Sequence, residues 1–290
     1  MSKILILGAG TMGTAFSIPC LENNHDVNIV GTHLEDNFID EFKKNKNYHP
    51  GLKIIIPNTI NFLKFENLKN FFDTKLDLIV LAITSKGIEW SAEQLTFLSK
   101  HSKLPPILLL TKGLSIFENK FEILADKLKR LLQDKGVMDI NISAIGGPCL
   151  ASGLSNKINT NVVVVNKNID SALKISTLFR TNYYHLEISN DMVGVEVSAA
   201  IKNIYAMAIG ASKGVCGINI SKEVIENNHL NTAAALVKQS ISEMLFFVEK
   251  LNGKKETVLG LAGIGDLYVS ADGGRNSKMG SFLGDGYTYS

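Results

Sequence analysis

Short aliphatic runs, each interrupted by at most one polar residue, punctuate the first half of the chain, at residues 3–7, 27–30, 76–83, 107–110 and 142–145. None alternates apolar with polar positions as a half-buried strand would, so each reads as a strand covered on both faces. Segments long enough for crossover helices, such as 13–23 and 119–134, lie between them. Strand–helix alternation with right-handed crossovers predicts an α/β fold on a doubly wound parallel sheet. Residues 161–165 and 184–188 read as two further strands, with a helix over 170–180 between them.

The texture changes after about residue 189. Residues 193–211, 232–251 and 257–267 read as helices rich in Ala, Ile and Val, and no strand-like run of comparable quality follows. The expectation is an all-α second domain, with the boundary near residue 188. A chain of 290 residues is long enough for two domains at roughly 150 residues each.

Composition narrows the class. Charged residues make up 20% and the hydrophobic set 45%, with six prolines, which excludes a disordered, collagen-like or coiled-coil chain. Lys plus Arg total 30 against 28 Asp plus Glu, a net charge of +2. That balance gives no basic surface for nucleic acid or membrane. Cys20, Cys149 and Cys216 are odd in number and far apart, so neither a metal site nor a disulfide framework is expected. The N-terminus turns into glycines too soon for a signal peptide, and no run suits a membrane span. Free thiols then fit a reducing compartment, and a cytoplasmic protein is expected.

The first strand runs directly into Gly8-Ala9-Gly10-Thr11-Met12-Gly13, and a helix follows. A lone G-x-G-x-x-G is weak evidence. Placed after a buried strand and before a helix, with a second strand about 20 residues on, it fits a dinucleotide-binding (Rossmann) turn. Gly8 makes the tight turn, Gly10 lets the pyrophosphate approach, and Gly13 lets helix and strand pack. The N–H groups at Thr11 and Met12 then face the phosphates. The chain therefore divides into a dinucleotide-binding domain, 1–188, and a helical substrate domain, 189–290. The acid expected at the end of the second strand is missing: the chain reads Val30-Gly31-Thr32-His33, with Glu35 and Asp36 slightly late. A carboxylate there would favour NAD and an arginine NADP, so NAD or NADP is left open.

Residues 195–209 are apolar nearly all round, with Lys202 at the middle. An unpaired ammonium there is costly, so Lys202 either snorkels out or finds a partner. A buried lysine of tuned basicity is a standard general acid or base. Asp266, in the apolar stretch 260–267, is a candidate partner. The stretch from Asp272 to Asn276 reads as a flexible turn ending in Arg275 and Asn276, a donor pair suited to phosphate.

These residues carry a resemblance. The glycine loop, Asn47-Tyr48-His49-Pro50-Gly51, Leu110-Thr111-Lys112-Gly113-Leu114, Gly146-Gly147-Pro148-Cys149-Leu150-Ala151, Ala200-Ile201-Lys202-Asn203, and Gly260 to Asp266 with Gly274-Arg275-Asn276 occur in order over nearly the whole chain. Together they resemble the soluble NAD(P)-dependent glycerol-3-phosphate dehydrogenase family. The resemblance implies reduction of dihydroxyacetone phosphate to sn-glycerol 3-phosphate for phospholipid synthesis, in an enzyme that is commonly a homodimer. It makes Lys202 the catalytic acid/base, with Asp266 and Lys112 in the active site. Gly147, Lys112, Asn203, Arg275 and Asn276 would hold the substrate, while Ala151 and Arg275 would touch the cofactor. Thr84 stands where the family usually has proline, and Gly153 where it usually has glutamate. Family members continue beyond the match to Ser290, so a C-terminally short member is expected, its last residues reading as a connection to a further helix.

Two rivals stand beside this reading. One is another two-domain reductase of the β-hydroxyacid or ketopantoate type. Those enzymes typically pair the lysine with an asparagine four residues on, where this chain has Ala206. The other is a non-catalytic dinucleotide-binding remnant, against which the set of Lys202, Asp266 and Arg275 argues.

Overall fold

A computed structural model describes residues 1–217 and 222–288; Tyr289 and Ser290, at the end of the expected connection, lie outside the described residues. The chain forms two compact units. The first comprises Met1–Ile145 with Cys149–Met192, and the second Gly146–Pro148 with Val193–Ser290.

The first unit is built on eight strands: β1 (Lys3–Leu7), β2 (Asp26–Val30), β3 (Asn61–Leu63), β4 (Leu78–Leu81), β5 (Ile107–Leu109), β6 (Ile142–Gly146), β7 (Thr160–Val165) and β8 (Tyr184–Ser189). They lie in the order β3-β2-β1-β4-β5-β6-β7-β8, and β1 pairs in parallel with both β2 and β4. The helices are α1 (Thr11–Glu22), α2 (Asp36–Lys44), α3 (Ile88–Ser99), α4 (Leu124–Asp134), α5 (Ala151–Ser155) and α6 (Ile169–Ser176). This is the doubly wound sheet that the aliphatic runs predict. Ile4 to Leu7 and Leu78 to Leu81 are fully buried, as strands covered on both faces must be. Order reverses between β1 and β4, so the crevice outside their carboxyl ends is where such sheets take ligands.

Two local expectations are corrected. The helix expected over 119–134 begins only at Leu124, because 114–117 and 120–123 form an antiparallel hairpin. Its turn, Glu118-Asn119, has φ of +48° and +60°, a left-handed pair that no α-helix contains. The helix expected over 170–180 ends at Ser176. Strand β3 and helices α2 and α3 go unread in the sequence, the strand because three residues give no usable periodicity.

Cys20 and Cys149 are thiols, and burial pushes the Cys20 thiol far above its ordinary range. The side chain of Cys216 lies outside the described residues.

His49 packs against Phe38 and Phe42 and is 3% exposed. Its Nδ1 accepts the Leu52 N–H at 3.2 Å. Burial holds its pKa below the ordinary value, so the unfolded chain takes up the proton first as pH falls. Stability is therefore lost from the unfolded value of about 6.5 downward. The drop in denaturant midpoint between about pH 7 and about pH 5 should shrink in His49→Asn, which keeps an acceptor but does not titrate.

The second unit is helical: α7 (Met192–Gly217), α8 (Lys222–Lys250), α9 (Lys255–Leu259), α10 (Asp266–Gly273) and α11 (Arg275–Gly284). Its stretch Met192–Val215 is long and apolar enough to cross a membrane by length and composition, but 61% of that window is buried in the protein, as in a core helix. The single helix expected over 257–267 is broken. Gly260 is extended, and Leu261–Gly265 winds as a π-type turn closed by the Gly265 N–H on Gly260 O at 3.2 Å. Three glycines in six residues make a regular helix unfavourable there.

Helices α7 and α11 meet backbone to backbone. A methyl group on Gly210 would overlap Ser277 O, and one on Gly280 would overlap Met207 O. Gly214 and Gly284, one turn further along each helix, are equally tight against Ser281 O and Ala211 O. Each helix thus presents two glycines four residues apart, a small-residue spacing that lets helix axes approach closely.

Candidate active site

In the second unit, Lys202 projects from the middle of α7 and is 7% exposed. Its Nζ donates to the carboxylate of Asp266, itself 2% exposed, and to Ser270 Oγ at 2.8 Å. Asp266 opens α10 and Ser270 lies four residues on, so both share one helix face. Burying the ammonium is tolerable because a carboxylate offsets its charge and a hydroxyl oxygen accepts a hydrogen bond from another of its N–H groups. Lys202 is thereby held with its amine inside the unit rather than snorkelling to solvent. Ser270 is the participant that sequence reading misses; its only signal is the four-residue step from Asp266.

Residues Gly146–Pro148 belong to this unit. A methyl on Gly146 would stand 2.5 Å from a Val195 side-chain carbon, and one on Gly265 would stand 3.5 Å from the Pro148 ring. Gly147, buried with φ +118°, is thus bracketed by neighbours that touch α7 and the residue preceding Asp266. Asn203 follows Lys202 and is half-buried. The stretch from Asp272 to Asn276 is not the flexible turn expected. Asp272 and Gly273 end α10, extended Gly274 caps the next helix, and Arg275 and Asn276 form the first turn of α11. Arg275 is exposed and Asn276 half-buried. The glycine crossing fixes α11 against α7, and with it this pair of donors.

The first unit carries the remaining candidates. Gly8 has φ +110°, and a methyl there would lie 2.5 Å from Ala82 O, so no other residue fits the turn from β1. A methyl on Gly13 would overlap Gly8 O, whereas one on Gly10 would meet only Glu35 Oε1, at 3.8 Å. Gly10 therefore leaves open space beside the N-terminus of α1, which no side chain caps. Such a loop fits the pyrophosphate of a dinucleotide. Gly51 abuts Thr11, 2.6 Å from its methyl carbon to a methyl built on the glycine; the 47–51 motif therefore braces the loop. Lys112 stands in the turn after β5, where Thr111 Oγ1 donates to Leu81 O at 3.3 Å and Ile83 O at 2.9 Å. Thr84 precedes the short turn Ser85–Gly87, and Ala151 opens α5.

One expectation about the end of β2 is revised. Glu35 follows the strand too late to be read as its terminal acid, yet its side chain folds back. Oε2 accepts the N–H groups of Ala9 at 3.1 Å and Thr32 at 2.7 Å. A carboxylate therefore does stand between the glycine loop and the end of β2. Among the described residues no group of three or more His, Cys, Asp or Glu side chains could hold a metal ion.

The family model described as the NAD-dependent glycerol-3-phosphate dehydrogenase N-terminus matches residues 3–172, and the model of the C-terminus of the same enzymes matches 191–290. The chain belongs to this family. Relatives include the NADP(+)-dependent glycerol-3-phosphate dehydrogenase of Archaeoglobus fulgidus, 30% identical over 98% of this chain and 80% of that protein. The glycerol-3-phosphate dehydrogenase [NAD(P)+] of Clostridium botulinum is 31% identical over 99% of this chain and 80% of that protein. Among solved structures, glycerol-3-phosphate dehydrogenase from Coxiella burnetii superposes with a TM-score of 0.80 at 24% identity, covering 99% of this chain and 81% of that one. That likeness shows the shared fold, a parallel-dominated sheet followed by a helical domain. With the family established, the reading as another two-domain reductase is not favoured. Members of the family use NAD or NADP, and the relatives' names include both.

Proposed function

We propose that this chain reduces dihydroxyacetone phosphate to sn-glycerol 3-phosphate, reversibly, with NADH or NADPH, in the cytoplasm and in the supply of phospholipid precursors. The observation that carries the reading is Lys202, buried in an apolar helix yet held by Asp266 and Ser270. In this proposal residues 1–188 hold the dinucleotide through Gly8, Gly10, Thr11, Met12, Gly13 and Ala151, with Arg275 also touching it, and residues 189–290 hold the substrate together with Lys112 and Gly147.

Reduced nicotinamide, when held by these residues, would supply the hydride that the ketone carbon accepts. As negative charge develops on the carbonyl oxygen, Lys202 Nζ gives it a proton, and in the reverse direction the neutral amine takes that proton back. Asp266 fixes the position of the amine, while Ser270 Oγ fixes a second N–H. Lys112 adds positive charge near the oxygen. Arg275 and Asn276 grip the substrate phosphate, a group remote from the reacting carbon, so that its binding energy serves orientation. Gly147 and Asn203 complete the substrate's surroundings.

The test compares dihydroxyacetone phosphate with unphosphorylated dihydroxyacetone. The phosphorylated ketone should be strongly preferred in kcat/KM. At saturating cofactor, Arg275→Ala should raise its KM about 10- to 100-fold, the worth of a charge-assisted hydrogen bond, and leave the poor turnover of dihydroxyacetone unaltered. Equal use of the two ketones by the unaltered enzyme would remove the phosphate site from the account.

A further inference from the structure

The carboxylate of Glu35 sits where the two units of a dinucleotide fold's recognition meet: the turn after β1 and the end of β2. Two backbone amides hold it, those of Ala9 and Thr32. Neighbouring Gly10 and Gly31 have no side chains to cover it, a methyl at either coming within 3.8 Å of a Glu35 carboxylate oxygen. With two N–H donors engaged, the carboxylate retains lone pairs for a further donor. The surroundings do not favour a second anion. The first arginine in the chain is Arg130, while of the nearby lysines Lys44 pairs with Glu41 and Lys64 with Asp40. Beside this point, His33, Phe65 and Trp90 form an aromatic group with ring centroids 5.6–6.4 Å apart, two residues from Glu35 in sequence at His33.

We infer that Glu35 makes this chain select NAD(H) over NADP(H): its carboxylate accepts the adenosine ribose 2′-hydroxyl and repels a 2′-phosphate. The inference rests on the reading of the first unit as a nicotinamide-dinucleotide site, and decides what that reading leaves open. A carboxylate at the ribose edge favours the unphosphorylated cofactor by a hydrogen bond and disfavours the other by like charge.

The chain's single tryptophan, Trp90, provides a readout independent of turnover, because its emission overlaps the absorption of reduced nicotinamide. The full chain is titrated with NADH and with NADPH, without substrate, and quenching of Trp90 is followed. NADH should bind at least about tenfold more tightly than NADPH. In Glu35→Gln, which removes the charge and keeps the size, NADPH should tighten and NADH weaken until the two lie within about threefold. As a second measurement on the unaltered protein, 5′-AMP should displace NADH at lower concentration than 2′,5′-ADP. Equal or tighter NADPH binding by the unaltered chain overturns the inference and leaves the dinucleotide site standing, as does undiminished discrimination in a folded Glu35→Gln. Failure of both cofactors to bind overturns the inference together with the reading beneath it.

Discussion

Lys202→Ala should lower turnover of dihydroxyacetone phosphate by about 10³-fold or more, the range expected when a positioned proton donor is removed. The loss should fall on kcat, because hydride arriving at the carbonyl carbon leaves an oxyanion with no buried ammonium to neutralise it. Binding of the reduced cofactor should persist, since Gly8, Gly10 and Gly13 belong to the first unit and Lys202 to the second. The variant also leaves Asp266 buried without its cation, a strain worth about 3–5 kcal/mol when a buried pair is broken one-sidedly. The double variant Lys202→Ala, Asp266→Ala removes both charges and should recover much of that stability without recovering activity. Unchanged turnover in a folded Lys202→Ala protein would put the proton donor elsewhere.

The second large effect is on stability. Gly280→Leu should unfold the α7–α11 crossing, because any side chain at that position overlaps Met207 O on the facing helix. The obstacle is backbone, which cannot rotate away as a side-chain end would, so the cost should reach about 3 kcal/mol or more. Calorimetry should show a lowered Tm and a rise in KM for dihydroxyacetone phosphate, since Arg275 and Asn276 ride on the same helix. Lys278→Ala, on the exposed side of α11, should leave Tm within about a degree or two, as surface changes stay near ±0.5 kcal/mol. A thermally unaltered Gly280→Leu protein would show that the helices do not cross at these glycines.

The sheet was legible because burial on both faces leaves aliphatic runs, and β1, β4 and β5 each carry an unbroken one. Strand β3 offers only Asn61-Phe62-Leu63, too short for any period to show. The hairpin before α4 was hidden by the strength of the following helical pattern, and its decisive feature, a left-handed Glu118-Asn119 pair, is a backbone property that composition does not display. In the site, Lys202 declared itself by being costly where it stood, and Asp266 by being the acid available in a second apolar stretch. Ser270 and Glu35 did not. Serine in a helix is commonplace, and Glu35 acts through a side chain that folds back across three residues. Local sequence shows which residue is present; it does not show where a flexible carboxylate ends.

The most direct measurement is the oxidation of reduced nicotinamide by the purified chain on addition of dihydroxyacetone phosphate, run with NADH and with NADPH. The account predicts substrate-dependent loss of reduced-cofactor absorbance, sn-glycerol 3-phosphate formed in equal amount, and the faster rate with NADH at low cofactor concentration. A folded protein that binds the dinucleotide and yields no glycerol 3-phosphate with either cofactor would contradict it.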